Sequence, residues 1–131
     1  MKQLRSNRNP KIGFWLDNDP VRLYIGAQLE DLHDISNDGV RLPNHRWVTT
    51  YLEPNSVTTP AIVVLDIPMK WLFPNMDQRF TGNRESDKNK LLQKPLYYQW
   101  KRFDYEYYCG LKVKIMSVIP PRFVAGYMKG A

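Results

Sequence analysis

The chain has 131 residues, 43% of them hydrophobic and 24% charged, with a formal net charge of +6. That length supports one domain with a buried core, and the single cysteine, Cys109, excludes an internal disulfide framework. No apolar run approaches the roughly 20 residues of a membrane-spanning helix, and Lys2, Arg5 and Arg8 are not followed by the apolar stretch of a signal peptide, so a soluble, unprocessed chain is expected.

In chain order, residues 1–11, "MKQLRSNRNPK", are polar, carry four basic residues and no acid, and read as a basic N-terminal arm. Residues 12–131 read as a single β-rich domain. "IGFWL" and "VRLYIG" flank "DNDP", a cluster of turn formers, which predicts a β-hairpin. Leu29, Leu32 and Ile35 then recur three apart with acids between them. That spacing predicts a short helix, ended by Asn37, Asp38 and Gly39.

"NHRWVTTYLEP" is rich in β-branched and aromatic residues and predicts a strand closed by Pro54. "TPAIVVLDIP" is the most apolar run and predicts a buried strand at the centre of the sheet, with "MKWLFP" continuing as a short strand or turn. Residues of about 77–94 have mixed charge and few β formers and predict a long exposed polar loop. "PLYYQW", "FDYEYY", "LKVKIMSVI" and "RFVAGY" follow as closely spaced β segments. The fold expectation is mainly β, or α+β with one or two short helices, as a small sandwich or barrel of short strands.

No motif identifies a reaction. Glu30, Asp31, His33 and Asp34 crowd together in "EDLHD", and on a helix Glu30, His33 and Asp34 at i, i+3 and i+4 could face a divalent metal. No second cluster supplies further ligands, and a solvated face of an amphipathic helix explains the same pattern. Asp17 and Asp19 read as turn formers, His45 stands without an acid partner, and Cys109 reads as a small buried hydrophobe. The expectation is therefore a protein that is not an enzyme and uses neither metal nor cofactor.

The charge is unevenly spread, at −1 over residues 1–69 and +7 over residues 70–131. Lys88, Lys90, Lys94, Lys101, Arg102, Lys112 and Lys114 alternate with an aromatic set in which Tyr97, Tyr98, Trp100, Tyr105 and Tyr107 could offer stacking faces. Cationic grooves with aromatic platforms suit single-stranded nucleic acid, and the excess suits an acidic partner too. A half-buried strand explains part of the pattern. In "LKVKI", alternation puts Leu111, Val113 and Ile115 on one face and Lys112 and Lys114 on the other.

Residues 102–122, "RFDYEYYCGLKVKIMSVIPPR", resemble the early jelly-roll strand of circovirus-type capsid proteins, where an aromatic pair leads into a Lys-Val-Lys-aliphatic strand ending near proline. The matching residues are Glu106, Tyr107, Tyr108, Lys112, Val113, Lys114, Ile115 and Pro120. Those proteins have a long arginine-rich arm and most of a jelly roll after this strand, whereas "MKQLRSNRNPK" is far less basic and eleven residues follow Pro120, so the resemblance implies a structural subunit of a viral or similar assembly rather than that complete fold. Ten prolines that fix chain direction between short strands, and a surface stock of Tyr, Trp and Arg, also suit a chain held by neighbours. The expected role is a non-enzymatic assembly subunit of a virus particle or other large complex, located in the virion or inside the cell. Its partners would be other protein subunits, its basic half would face nucleic acid or an acidic partner, and no membrane is involved. A small free binder of single-stranded nucleic acid is the second reading, and a metal-dependent enzyme using Glu30 to Asp34 the third.

Overall fold

The computed structural model describes residues 1–5, 18–42, 47–51, 53–76 and 112–130. Two eight-residue strands dominate them: β1 (Pro20–Ala27) and β3 (Ala61–Pro68) pair antiparallel along their full length, from Pro20 opposite Pro68 to Ala27 opposite Ala61. Successive side chains of a strand point to opposite faces. Val21, Leu23 and Ile25 of β1 therefore join Val63, Leu65 and Ile67 of β3 on one face, while Tyr24, Ile62 and Val64 occupy the other. Because both faces are covered, "AIVVL" reads as a continuous apolar run rather than an alternating one.

Three shorter strands complete one antiparallel sheet: β2 (Val48–Tyr51), β4 (Lys112–Ile115) and β5 (Val124–Lys129). The order is β4-β2-β1-β3-β5, so β1 holds the central position and the apolar β3 lies beside it. The protein is thus mainly β with two short helices. The expected sandwich or barrel takes the form, among the described residues, of a single sheet clad on both sides.

One face is covered by helices. α1 (Leu32–Asp38) follows a 3₁₀ turn at Leu29–Asp31 and lays Leu32 and Ile35 on the sheet, as the three-residue spacing predicts. It stops at Gly39, whose φ of 78° lies in the positive range that glycine adopts without steric cost. A Cβ there would also collide with the Ile119 carbonyl. This stop frees Val40 to exchange two backbone hydrogen bonds of 2.9 Å with Ile119.

α2 (Met69–Asn75) replaces the strand or turn expected for "MKWLFP". Met69, Leu72, Phe73 and Met76 recur at helical spacing and are all buried on the same face of the sheet. Pro74 enters only in the last turn, where the Asn75 side chain donates to the Trp71 carbonyl at 2.7 Å. Asn75 also accepts from Met116 N–H (2.7 Å) at its carbonyl and from the Ser117 hydroxyl (2.6 Å) at its Oδ1, which ties α2 to the chain leaving β4.

Two connections cross the sheet on opposite faces. Residues 116–123 pass from β4 to β5 on the helix-covered face, burying Ile119 and Phe123, with the Phe123 ring edge-on to Trp71 at 5.2 Å. The chain from β2 to β3 puts Val57 over Tyr24 on the second face. Arg22 and Asp66, opposite each other on that second face, form a two-pronged ion pair at 2.9 and 2.8 Å. The hydrogen bonds to Asp66 raise the Arg22 pKa, burial works against the shift, and the Asp66 charge adds to it. A group raised in the folded state stabilises fully below its unfolded value, so this contribution is constant across neutral pH, where Asp66 is ionised, and is lost at strongly alkaline pH.

Thr50 is the one buried polar side chain among the described residues, and its hydroxyl donates to the Val113 carbonyl at 2.8 Å, joining β2 to β4. No described helix is long and apolar enough to cross a membrane. The expected hairpin strand "IGFWL", the loop at about 77–94 and the segments "PLYYQW" and "FDYEYY" lie outside the described residues.

Phe73 is fully buried under the sheet, and truncation to Ala is expected to lower the unfolding free energy by about 3–5 kcal/mol. Arg22→Ala, at a half-exposed ion pair, is expected to lower it by only about 1–2 kcal/mol. Urea unfolding of the two variants checks the order.

Candidate functional site

The helix-covered side leaves a groove of about 590 Å³ between α1 and the β1–β2 pair. Its floor is apolar, formed where Ile25 and Ala27 of β1 meet Val48 of β2 and Val40 beyond the helix stop. Charged residues also line it: Asp31, Asp34 and Asp38 from the helical segment, and Arg41 three residues beyond Asp38. Spacing of i, i+3 and i+7 puts those three aspartates along one side of the helical segment. Asp38 and Arg41 approach no closer than 4.0 Å and are both well exposed, so their ion pair contributes little.

Trp47 and Thr49 close the groove at the β2 end. The other side of this corner belongs to β4, where the Lys114 ammonium lies 4.7 Å from the Trp47 ring centroid. A cation over an indole face is attracted by the ring quadrupole. The groove and the lysine-bearing strand therefore share one tryptophan.

The structure divides the expected "EDLHD" set. Asp31 and Asp34 line the groove together with Asp38, whereas the His33 ring sits 3.0 Å from the Asn37 side-chain nitrogen one turn on. Among the described residues no three His, Cys, Asp or Glu side chains come together as a metal site. Three carboxylates against one guanidinium give the groove a field that favours cationic over anionic groups.

Of the expected basic residues, Lys112 stands in β4 opposite Tyr51, and Lys114 is half-buried opposite Thr49. Val113 and Ile115 are fully buried, as the alternation in "LKVKI" predicts. Asp19 ends its turn by accepting Met69 N–H at its backbone carbonyl, 3.0 Å away. Lys88, Lys90, Lys94, Lys101, Arg102, Tyr97, Tyr98, Trp100, Tyr105 and Tyr107 lie outside the described residues, as do Asp17, His45, Cys109 and Leu111.

Two contributors to the groove escape the sequence reading. Asp38 looks like part of a helix-stopping cluster, although its spacing from Asp31 and Asp34 carries the signal. Trp47 looks like one aromatic of a strand, and only the pairing of β2 with β4 brings Lys114 to it. No protein-family model, no curated protein and no solved structure matches the chain.

The groove's charge generates a test. Replacing Asp31, Asp34 and Asp38 together by Asn is expected to leave affinity for a mixed-sequence single-stranded oligonucleotide unchanged or increased in fluorescence anisotropy titrations. A fall of tenfold or so, equivalent to about 1.4 kcal/mol, would mean that these carboxylates take part in binding.

Proposed function

We propose that this chain is a non-enzymatic assembly subunit, joined to its neighbours through the edges of its sheet, with its basic half turned toward nucleic acid or another anionic partner. The observation that carries this reading is the state of the two edges. Among the described residues, β4 is continued outward by one bridge, Met76 to Ile115, and β5 by one bridge, Gln3 to Tyr127. Edge strands with so little cover are templates for further pairing.

Exposed apolar side chains gather beside the same edges. Met116 (40% exposed) and Val118 (48%) follow β4 directly, and Met1 (38%) adjoins the bridge on β5. Large exposed apolar residues close together favour contact with another protein surface. The circovirus-type pattern of residues 102–122 includes β4, and an assembly role is what that resemblance implies.

The anionic partner is supported by the +7 balance of residues 70–131 and by the position of Lys112 and Lys114 on an edge strand. The groove argues that phosphate would be met elsewhere than along α1. A free single-stranded nucleic-acid binder is the second reading, favoured by the neighbouring Lys114 and Trp47, a cation and an aromatic face of the kind such binders combine.

Size-exclusion chromatography with light scattering, at low and high salt and with or without a single-stranded oligonucleotide, separates the two. A defined oligomer that survives high salt is expected, and Met116→Ser with Val118→Ser is expected to weaken self-association by about tenfold or more. A monomer that shifts only with oligonucleotide, and only at low salt, would favour the free binder. A monomer indifferent to both would overturn the proposal.

A further inference from the structure

Residues 2–4 run parallel to β5 and add a short strand to its outer edge: Tyr127 N–H donates to the Lys2 carbonyl at 2.9 Å, and Leu4 N–H donates to the Tyr127 carbonyl at 2.7 Å. β5 is shaped for this. A bulge between the pairs Val64–Gly126 and Leu65–Val124 leaves Ala125 as an extra residue, and Gly126 beside it has a φ of 157°. A Cβ at Gly126 would collide with the Lys2 carbonyl and crowd the Leu4 side chain, so the strand can approach only because that position is glycine. Leu4 then packs against the cluster of Tyr24, Val57, Ile62, Val64 and Met128 on the second face.

We propose that in the assembled state this notch on β5 receives residues 1–5 of a second copy of the chain. The inference rests on the assembly reading above and specifies which edge and which segment make the contact. The seated segment itself identifies the occupant: recognition uses main-chain hydrogen bonds and one leucine, and both are identical in every copy. The contact within one chain is small, with two hydrogen bonds and one half-buried apolar side chain holding a segment whose other residues are exposed. Such a contact opens locally at little cost. Exchange between copies restores the same hydrogen bonds and the same leucine contact in full.

Disulfide trapping tests this directly. In a Cys109→Ser background, one tagged chain carries Gln3→Cys and a differently tagged chain carries Tyr127→Cys. Bridge-paired residues have the Cα separation that a disulfide requires. The two chains are mixed at a concentration that supports oligomers, oxidised, and resolved on non-reducing gels beside a control that pairs Gln3→Cys with Lys70→Cys, an exposed site on α2.

The cross-linked pair with Tyr127→Cys is expected to exceed the control by about tenfold or more, because seating on the edge raises the effective concentration of the two thiols. Adding Gly126→Ala to the receiving chain is expected to bring it down to the control level. Cross-linking at control level in a preparation that light scattering shows to be oligomeric would overturn the exchange while leaving the assembly reading standing. A preparation that stays monomeric at every concentration would overturn both.

Discussion

The ladder between β1 and β3 is the constraint on which the rest of the protein depends. Eight residues pair with eight, and the alternation of side chains supplies a buried set to each face at once. A slip of β1 by one residue would turn its side chains over relative to β3, moving Leu23 away from the helices and driving Arg22 beneath them. The bidentate contact between Arg22 and Asp66 is satisfied only in the observed register. Among the described residues, the other elements attach to this pair: β2 and β5 extend it on either side, α1 and α2 cover one face, and Val57 with Leu4 covers the other.

The edges are built differently. β4 and β2 are four residues long, and β5 changes its phase at a bulge. Among the described residues, their partners on the outer side are single bridges from Met76 and Gln3. Stability is thus concentrated in the centre, and the elements with exposed methionine and valine, the basic strand and the notch at Gly126 all lie at the margins. That division suits a protein whose interior holds itself together and whose margins are completed by neighbours. The acidic groove beside α1 has a field that disfavours anions, and Lys114 of β4 meets its border only at Trp47.

Much of this was legible where one periodicity acts alone. The spacing of Leu32 and Ile35 with Gly39 marked the first helix and its end, because a helix that packs on a sheet must repeat its apolar residues at three or four and then find a residue that tolerates a positive φ, whereas Leu29 falls in the preceding 3₁₀ turn and stays exposed. The alternation in "LKVKI" gave the buried and lysine-bearing faces of β4. "MKWLFP" misled because six residues ending in proline carry too few repeats to distinguish a strand from one helical turn and a half. Its helical identity depends on burial under Phe123 and Trp71 packing, which is a tertiary fact. The contact of Lys114 with Trp47 was hidden for the same reason, since it joins strands 67 positions apart in the numbering of those residues. The seating of residues 2–4 on β5 was equally invisible, because a polar segment carries no signal for which edge it will meet.

Amide hydrogen exchange followed by mass spectrometry, on the protein held monomeric by dilution and again at assembling concentrations, tests the division between a self-sufficient centre and unfinished margins most directly. The account predicts that amides of β1 and β3 exchange slowest and through global unfolding in both conditions. Amides of β4, of β5 and of residues 2–4 should exchange faster in the dilute protein and gain protection on assembly. Equal protection of β5 and β3 in the dilute protein, with no change at either edge on concentration, would contradict it.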